Sequence, residues 1–141
     1  MLVQSLRSIC LLLIALAFYP LTAGAEEEAA DGEAPLAEVH YVPLKPAFVT
    51  NYQAAKLRYF KADVTVKVRG TTTAEAIDRH LPYIRHNLVM LFSSQSGDAL
   101  NSIEGKHKLQ EDAMNQVIAV LNEENEASDV EDILFTSFIV E

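Results

Sequence analysis

An α+β domain, a small sheet of three to four strands packed on two or three helices, is the fold class this sequence predicts. Three patterns carry that expectation. Phe60, Ala62, Val64, Val66 and Val68 alternate with Lys61, Asp63, Thr65, Lys67 and Arg69, a period of two that marks a half-buried strand. Ile77, Leu81, Ile84, Leu88 and Leu91 follow at spacings of four, three, four and three, which is one face of a helix. Residues 130–140 (VEDILFTSFIV) are β-branched and aromatic on both faces, which suits a central strand covered on one side by helices. Strands therefore fall in the outer thirds of the domain and helices between them.

Before the domain comes an export signal. Arg7 is the lone early cation, residues 9–18 (ICLLLIALAF) are unbroken apolar, and Thr22-Ala23-Gly24-Ala25 offers small residues before Glu26. The strict apolar run is shorter than the roughly 20 residues that cross a bilayer. Residues 1–25 thus read as a signal peptide cleaved between Ala25 and Glu26, with a short signal anchor as the alternative. Either route places the rest of the chain outside the cytoplasm, near the cytoplasmic membrane. Cys10, the only cysteine, lies within this run, so a cleaved chain has no thiol for disulfides, catalysis or metal. Residues 26–38 (EEEAADGEAPLAE) hold six carboxylates and no cation, an acidic flexible linker.

The domain spans residues 39–141. Pro43 and Pro46 interrupt its first strand segment and confine it to an edge. The alternating strand ends at Gly70, and Thr72 with Glu75 forms a capping box that opens a helix. Pro82 lacks a backbone donor, which predicts a kink or a second helix beginning at Leu81. A loop over residues 93–97 closes with Gly97 as a helix C-terminal signal, Asp98 caps a short turn, and Gly105 punctuates the chain. Residues 106–122 form a last helix through Leu109, Ala113, Met114, Val117, Ile118, Val120 and Leu121.

Composition and spacing argue against most functional classes. A net charge of −9 and a pI near 4.8 repel a phosphate backbone, and no nucleic-acid motif offsets them. His80 and His86 are six residues apart, about 120° around a helix, and cannot share a metal face. His40 and His107 stand in separate segments. The Ser93-Ser94-Gln95-Ser96-Gly97-Asp98 loop lacks a nucleophile elbow. Glu111-Asp112 and Glu131-Asp132 are sequence neighbours on exposed faces rather than a shared buried site. No enzyme, cofactor or metal site is expected. Charge is nonetheless segregated: residues 45–69 hold six basic residues and one acid, and residues 98–141 hold eleven acids against Lys106 and Lys108. Lys61, Lys67 and Arg69 project from one strand face, and the acids around Glu111, Asp112, Glu123 and Glu124 are their expected counterpart on a neighbouring subunit.

Local sequence adds a family resemblance. Tyr41-Val42-Pro43-Leu44-Lys45-Pro46-Ala47-Phe48-Val49-Thr50-Asn51, followed by Arg58-Tyr59-Phe60, is similar to the flagellar basal body-associated FliL family. Leu81-Pro82-Tyr83-Ile84-Arg85-His86-Asn87, the run through Ser94, and the closing Phe135-Thr136-Ser137-Phe138-Ile139-Val140-Glu141 resemble it too, in the same order. The resemblance covers residues 40–141. It implies a single-span inner-membrane protein whose periplasmic domain has a stomatin/prohibitin-like fold and assembles into rings around the stator units of the flagellar motor. It further implies support for motility, swarming and chemotaxis, with no catalytic residues to transfer. The family usually has a cytoplasmic head and a full-length span, where this chain starts with a short signal-like run. The alternative reading is a free periplasmic adaptor or chaperone-like paralogue with the same fold and no flagellar role.

Overall fold

The computed structural model describes residues 36–141. The expected export signal, its expected Ala25–Glu26 junction and the expected linker as far as residue 35 lie outside the described residues. The described chain runs β1 (Val39–Pro43), β2 (Phe48–Asn51), β3 (Tyr59–Arg69), α1 (Thr71–Arg79), α2 (Leu81–Ser93), α3 (Gly97–Asn101), α4 (Ile103–Glu123) and β4 (Val130–Val140). It is an antiparallel four-stranded sheet with helices packed against one face, the expected α+β class.

β3 is the axis of the sheet. β4 pairs with it over residues 60–68, β1 pairs with residues 65–69, and β2 pairs with residues 59–62. A strand has two hydrogen-bonding edges, so β1 and β2 must share one edge end to end while β4 takes the other. The proline-interrupted first segment is an edge, as its prolines require. The closing segment is not central: β4 pairs only with β3 among the described strands. Its apolar character on both faces comes from helix contact on one side and from a partly exposed sheet surface on the other, which sequence alone does not separate from burial on both.

The period-two reading of β3 holds at each position. Phe60, Ala62, Val66 and Val68 are fully buried and Val64 nearly so, whereas Lys61 is exposed and Asp63, Thr65, Lys67 and Arg69 are half-buried. Each Val or Phe placed there contributes about 1.5–3 kcal/mol. Phe60 meets the helix layer through Phe92 of α2, with ring centroids 5.4 Å apart, and Phe92 also stands edge-on to Phe48 at 5.3 Å. Such edge-to-face pairs add about 0.5–1.5 kcal/mol beyond burial.

Several local expectations are corrected. The first helix starts at Thr71, not from a Thr72–Glu75 box, because Gly70 takes the N-cap at φ 83° and no side chain caps it. Thr73 is instead fully buried, its Oγ1 accepting from the Asp129 N–H at 3.3 Å. The helix breaks at His80 and restarts with Pro82 in its first turn, as the missing proline donor demands. Gly97 does not end α2, whose cap is Ser94; it begins α3, which is capped by Ser96 rather than Asp98. Gly105 does not punctuate the chain either, since α4 begins at Ile103 and runs through it. A Cβ at Gly105 would lie 2.0 Å from the Ala99 carbonyl oxygen, so glycine is there to let α3 seat on the first turn of α4.

Opposite faces of β3 predict opposite responses to substitution. Val66→Lys puts an unpaired charge at a fully buried position and should abolish the cooperative thermal transition. Lys67→Val, on the solvent side, should leave the transition in place. Equal destabilisation by the two changes would contradict this register.

Candidate interaction surface

With the helices on the Phe60 side, the opposite face of the sheet is left to solvent. Register lays it out in rows: Val49–Lys61–Ile139 across β2, β3 and β4, then Asn51–Tyr59, and toward the other end Tyr41–Lys67 and Val39–Arg69. Val49 (62 % exposed), Tyr41 (59 %), Tyr59 (45 %) and Ile139 (42 %) are large apolar side chains on this face. Val49, Tyr59, Lys61, Ile139 and Glu141 line an open hollow of about 310 Å³.

Lys61, Lys67 and Arg69 all lie on this face, as expected, but they are not equivalent. Two register shifts interrupt the β3–β4 ladder, one of them between Lys67 and Val68. There Lys67 faces Asp132 and Val68 faces Val130, so Glu131 is the extra residue of a bulge. Glu131 lies 2.8 Å from Lys67 Nζ, accepts from Arg69 Nε at 2.7 Å and also pairs with the Arg69 Nη2 group. The hydrogen bond from Lys67 first, and that from Arg69 next, hold the Glu131 carboxyl below its ordinary pKa, and the same pairing raises that of Lys67. Lys61 has no ion-pair partner among the described residues.

The acidic counterpart is also mixed. Glu111 is exposed on α4, while Asp112 is engaged by Lys108 one turn earlier at 2.9 Å. Glu131 and Asp132 are not a pair on one exposed face. Asp132 turns to the helices, where its Oδ1 accepts from Gln110 Nε2 and from the Ile133 N–H, both at 2.8 Å. Glu123 accepts from the Tyr83 hydroxyl at 2.7 Å, which raises the tyrosine pKa. Thus Lys61 and Glu111 have no ion-pair partner among the described residues, whereas Lys67, Arg69 and Asp112 are already paired within the chain.

The histidines do not converge. His80 sits at the α1–α2 junction, 3.0 Å from Glu126, which Arg79 grips through two nitrogens at 3.1 and 2.7 Å. His86 and His107 are exposed, and the His40 Nε2 atom is buried without a hydrogen-bond partner. Among the described residues no group of three or more His, Cys, Asp or Glu side chains is placed to hold a metal. Residues 53–58, whose two cations the charge count includes without giving them a role, form an exposed connection in which Lys56 and Arg58 flank Leu57, 69 % exposed, and which leads directly into Tyr59. An apolar residue set between two cations in a segment without periodicity was the available signal.

The protein-family model described as flagellar basal body-associated protein FliL matches residues 41–140. The flagellar protein FliL of Escherichia coli strain K12 is 30% identical over 77 residues, 55% of this chain and 50% of that protein. The protein of the same name from Aquifex aeolicus strain VF5 is 24% identical over 99 residues, 70% of this chain and 59% of that protein. The chain spans about half the length of the curated relatives it matches.

The Glu131 bulge sets a pH dependence. A carboxyl whose folded pKa is depressed adds stability above its unfolded value of about 4.3, and that stability is lost as pH falls through the folded value. Glu126, held down by Arg79 and then His80, acts in the same sense. The melting temperature should therefore fall as pH drops below about 4.3. Glu131→Gln should lower the melting temperature at neutral pH and flatten that acid slope. An unchanged slope would show that the cluster contributes nothing to acid sensitivity.

Proposed function

This chain belongs to the flagellar basal body-associated FliL family, and from that premise we propose that it is a non-enzymatic accessory of the bacterial flagellar motor. In this reading it lies on the periplasmic side of the cytoplasmic membrane, self-associates, and supports the stator units that drive rotation, with effects on motility, swarming and chemotaxis. The observation that carries it is the span of the family match, residues 41–140, which begins within β1 and takes in the other three strands and all four helices described. The organisation of the domain supports an assembly role: one sheet face is spent on the core, and the other keeps exposed apolar side chains beside charge. No nucleic acid enters this reading, in keeping with the charge of −9.

A closed ring needs a heterologous contact, one patch on each subunit meeting a different patch on the next. The proposed patches are the outer strand face with Lys61, Lys67 and Arg69, and the acidic side of α4 with Glu111 and Asp112. Because Glu131 already holds two of the cations, Lys61 and Glu111 are the strongest contributors across the contact.

Reversing the cations tests this. Lys61→Glu, Lys67→Glu and Arg69→Glu together should leave the domain folded, abolish cross-linking between full-length chains, and fail to restore motility to a deletion strain. The wild-type contact should weaken as salt rises, since charges are screened over about 8 Å at physiological ionic strength. Cross-linking indifferent to salt and to reversal would overturn the electrostatic contact. Normal motility in the deletion strain would favour a periplasmic adaptor with no flagellar role.

A further inference from the structure

We propose that the hollow at the Tyr59 end of the outer sheet face receives the acidic N-terminal linker of a second copy of this chain, with Leu36 as its apolar anchor. The inference rests on the self-association proposed above and adds to it a contact away from α4. The hollow supplies an apolar floor, Val49, Tyr59 and Ile139, lined also by Lys61 and Glu141, and residues 53–58, which carry Lys56 and Arg58, lead directly into Tyr59. Lys56, Arg58 and Lys61 have no ion-pair partner among the described residues, unlike Lys67 and Arg69 at the opposite end. With Lys56, Arg58 and Lys61 in or beside it against the single acid Glu141, this open apolar site suits a segment that brings carboxylates around one apolar side chain.

The chain contains such a segment. Residues 26–38 hold six carboxylates and no cation, and Leu36 lies between Glu33 and Glu38. Leu36 is 79 % exposed, the most exposed of the large apolar side chains described. It cannot fill the hollow of its own chain. The Ala37 carbonyl accepts from Arg69 Nη1 at 3.2 Å, and the Glu38 carbonyl accepts from the Gly70 N–H at 2.8 Å. Both bonds hold this segment at the Arg69 end of β3. The hollow is at the Tyr59 end, ten residues along an extended strand, which is about 33 Å away. Leu36 of another copy has no such constraint. The resulting contact is head to tail, linker end of one subunit to hollow of the next, which is the heterologous geometry that rings require.

The test uses a fluorescent synthetic peptide of residues 26–38, titrated into the full-length chain in detergent and followed by anisotropy. Binding should saturate, weaken as salt rises, and fall about tenfold for the Lys56→Glu, Arg58→Glu chain and for a Leu36→Ser peptide. Because Lys56 and Arg58 are exposed, that variant should melt like the wild type. No saturable binding, or equal binding to wild type and variant, would overturn the linker contact. So would a wild-type chain that ignores the peptide but co-sediments, through Lys56 and Arg58, with vesicles of equimolar phosphatidylcholine and phosphatidylglycerol; the patch would then face a membrane. Cross-linking of the same preparations separates the two readings. Wild-type chains that cross-link without binding peptide would overturn the linker contact alone, whereas wild-type chains that do not cross-link would remove self-association and this contact with it.

Discussion

β3 is hydrogen-bonded along both edges and can give only one of its faces to the core. Its alternation assigns that face to Phe60, Ala62, Val64, Val66 and Val68, and the helices have to cover it. The remaining architecture follows. Phe92 of α2 closes over Phe60 and Phe48, and β4 brings Phe138 to within 4.8 Å of the Phe60 ring. Arg85 of α2 stacks 4.1 Å from the Phe48 ring centroid and donates to the Leu44 and Pro46 carbonyls, which locks the connection between β1 and β2 to the helices. Among the described residues nothing covers the other face of β3, and exposed apolar and charged side chains gather there.

The β1 and β4 margins of the sheet discourage strand addition. Pro43 ends β1 and Pro46 follows it, so that edge is short and lacks donors where a partner strand would need them. Along β4, two register shifts disturb the ladder, and the Asp132 carboxylate takes up the Ile133 N–H. In the assembly proposed above, guarded edges leave the outer sheet face as the surface of contact. This is why the charges and exposed apolar residues of that face carry more weight here than the length of β4.

Much of this was legible in the sequence, for identifiable reasons. The period of two in β3 and the helical spacing from Ile77 to Leu91 are strong because burial enforces them. The break at His80 was legible because Pro82 has no donor to give. The capping details were not, since Gly70, Ser96 and Ser102 compete with neighbouring Thr72 and Asp98 for the same role, and only tertiary contact decides. Gly105 reads as a break because the approach of Ala99 is invisible in one dimension. On the interaction surface, the cations of β3 were legible but their pairing was not. A bulge that turns Glu131 toward Lys67 and Arg69 leaves no mark in the alternation, and without it three cations look equally free.

The central claim is that the outer sheet face, rather than the α2 surface around Met90, is covered when the chain joins its assembly. Single cysteines placed in a Cys10→Ser background address it directly: Ile139→Cys on the outer face, 42 % exposed, and Met90→Cys on the helical side, 59 % exposed. Their labelling by a membrane-impermeant maleimide would be followed in cells with and without assembled basal bodies. Cysteine at 139 should be protected only where basal bodies assemble, and cysteine at 90 should label alike in both strains. Equal labelling at 139 in the two strains, or protection confined to 90, would contradict the account.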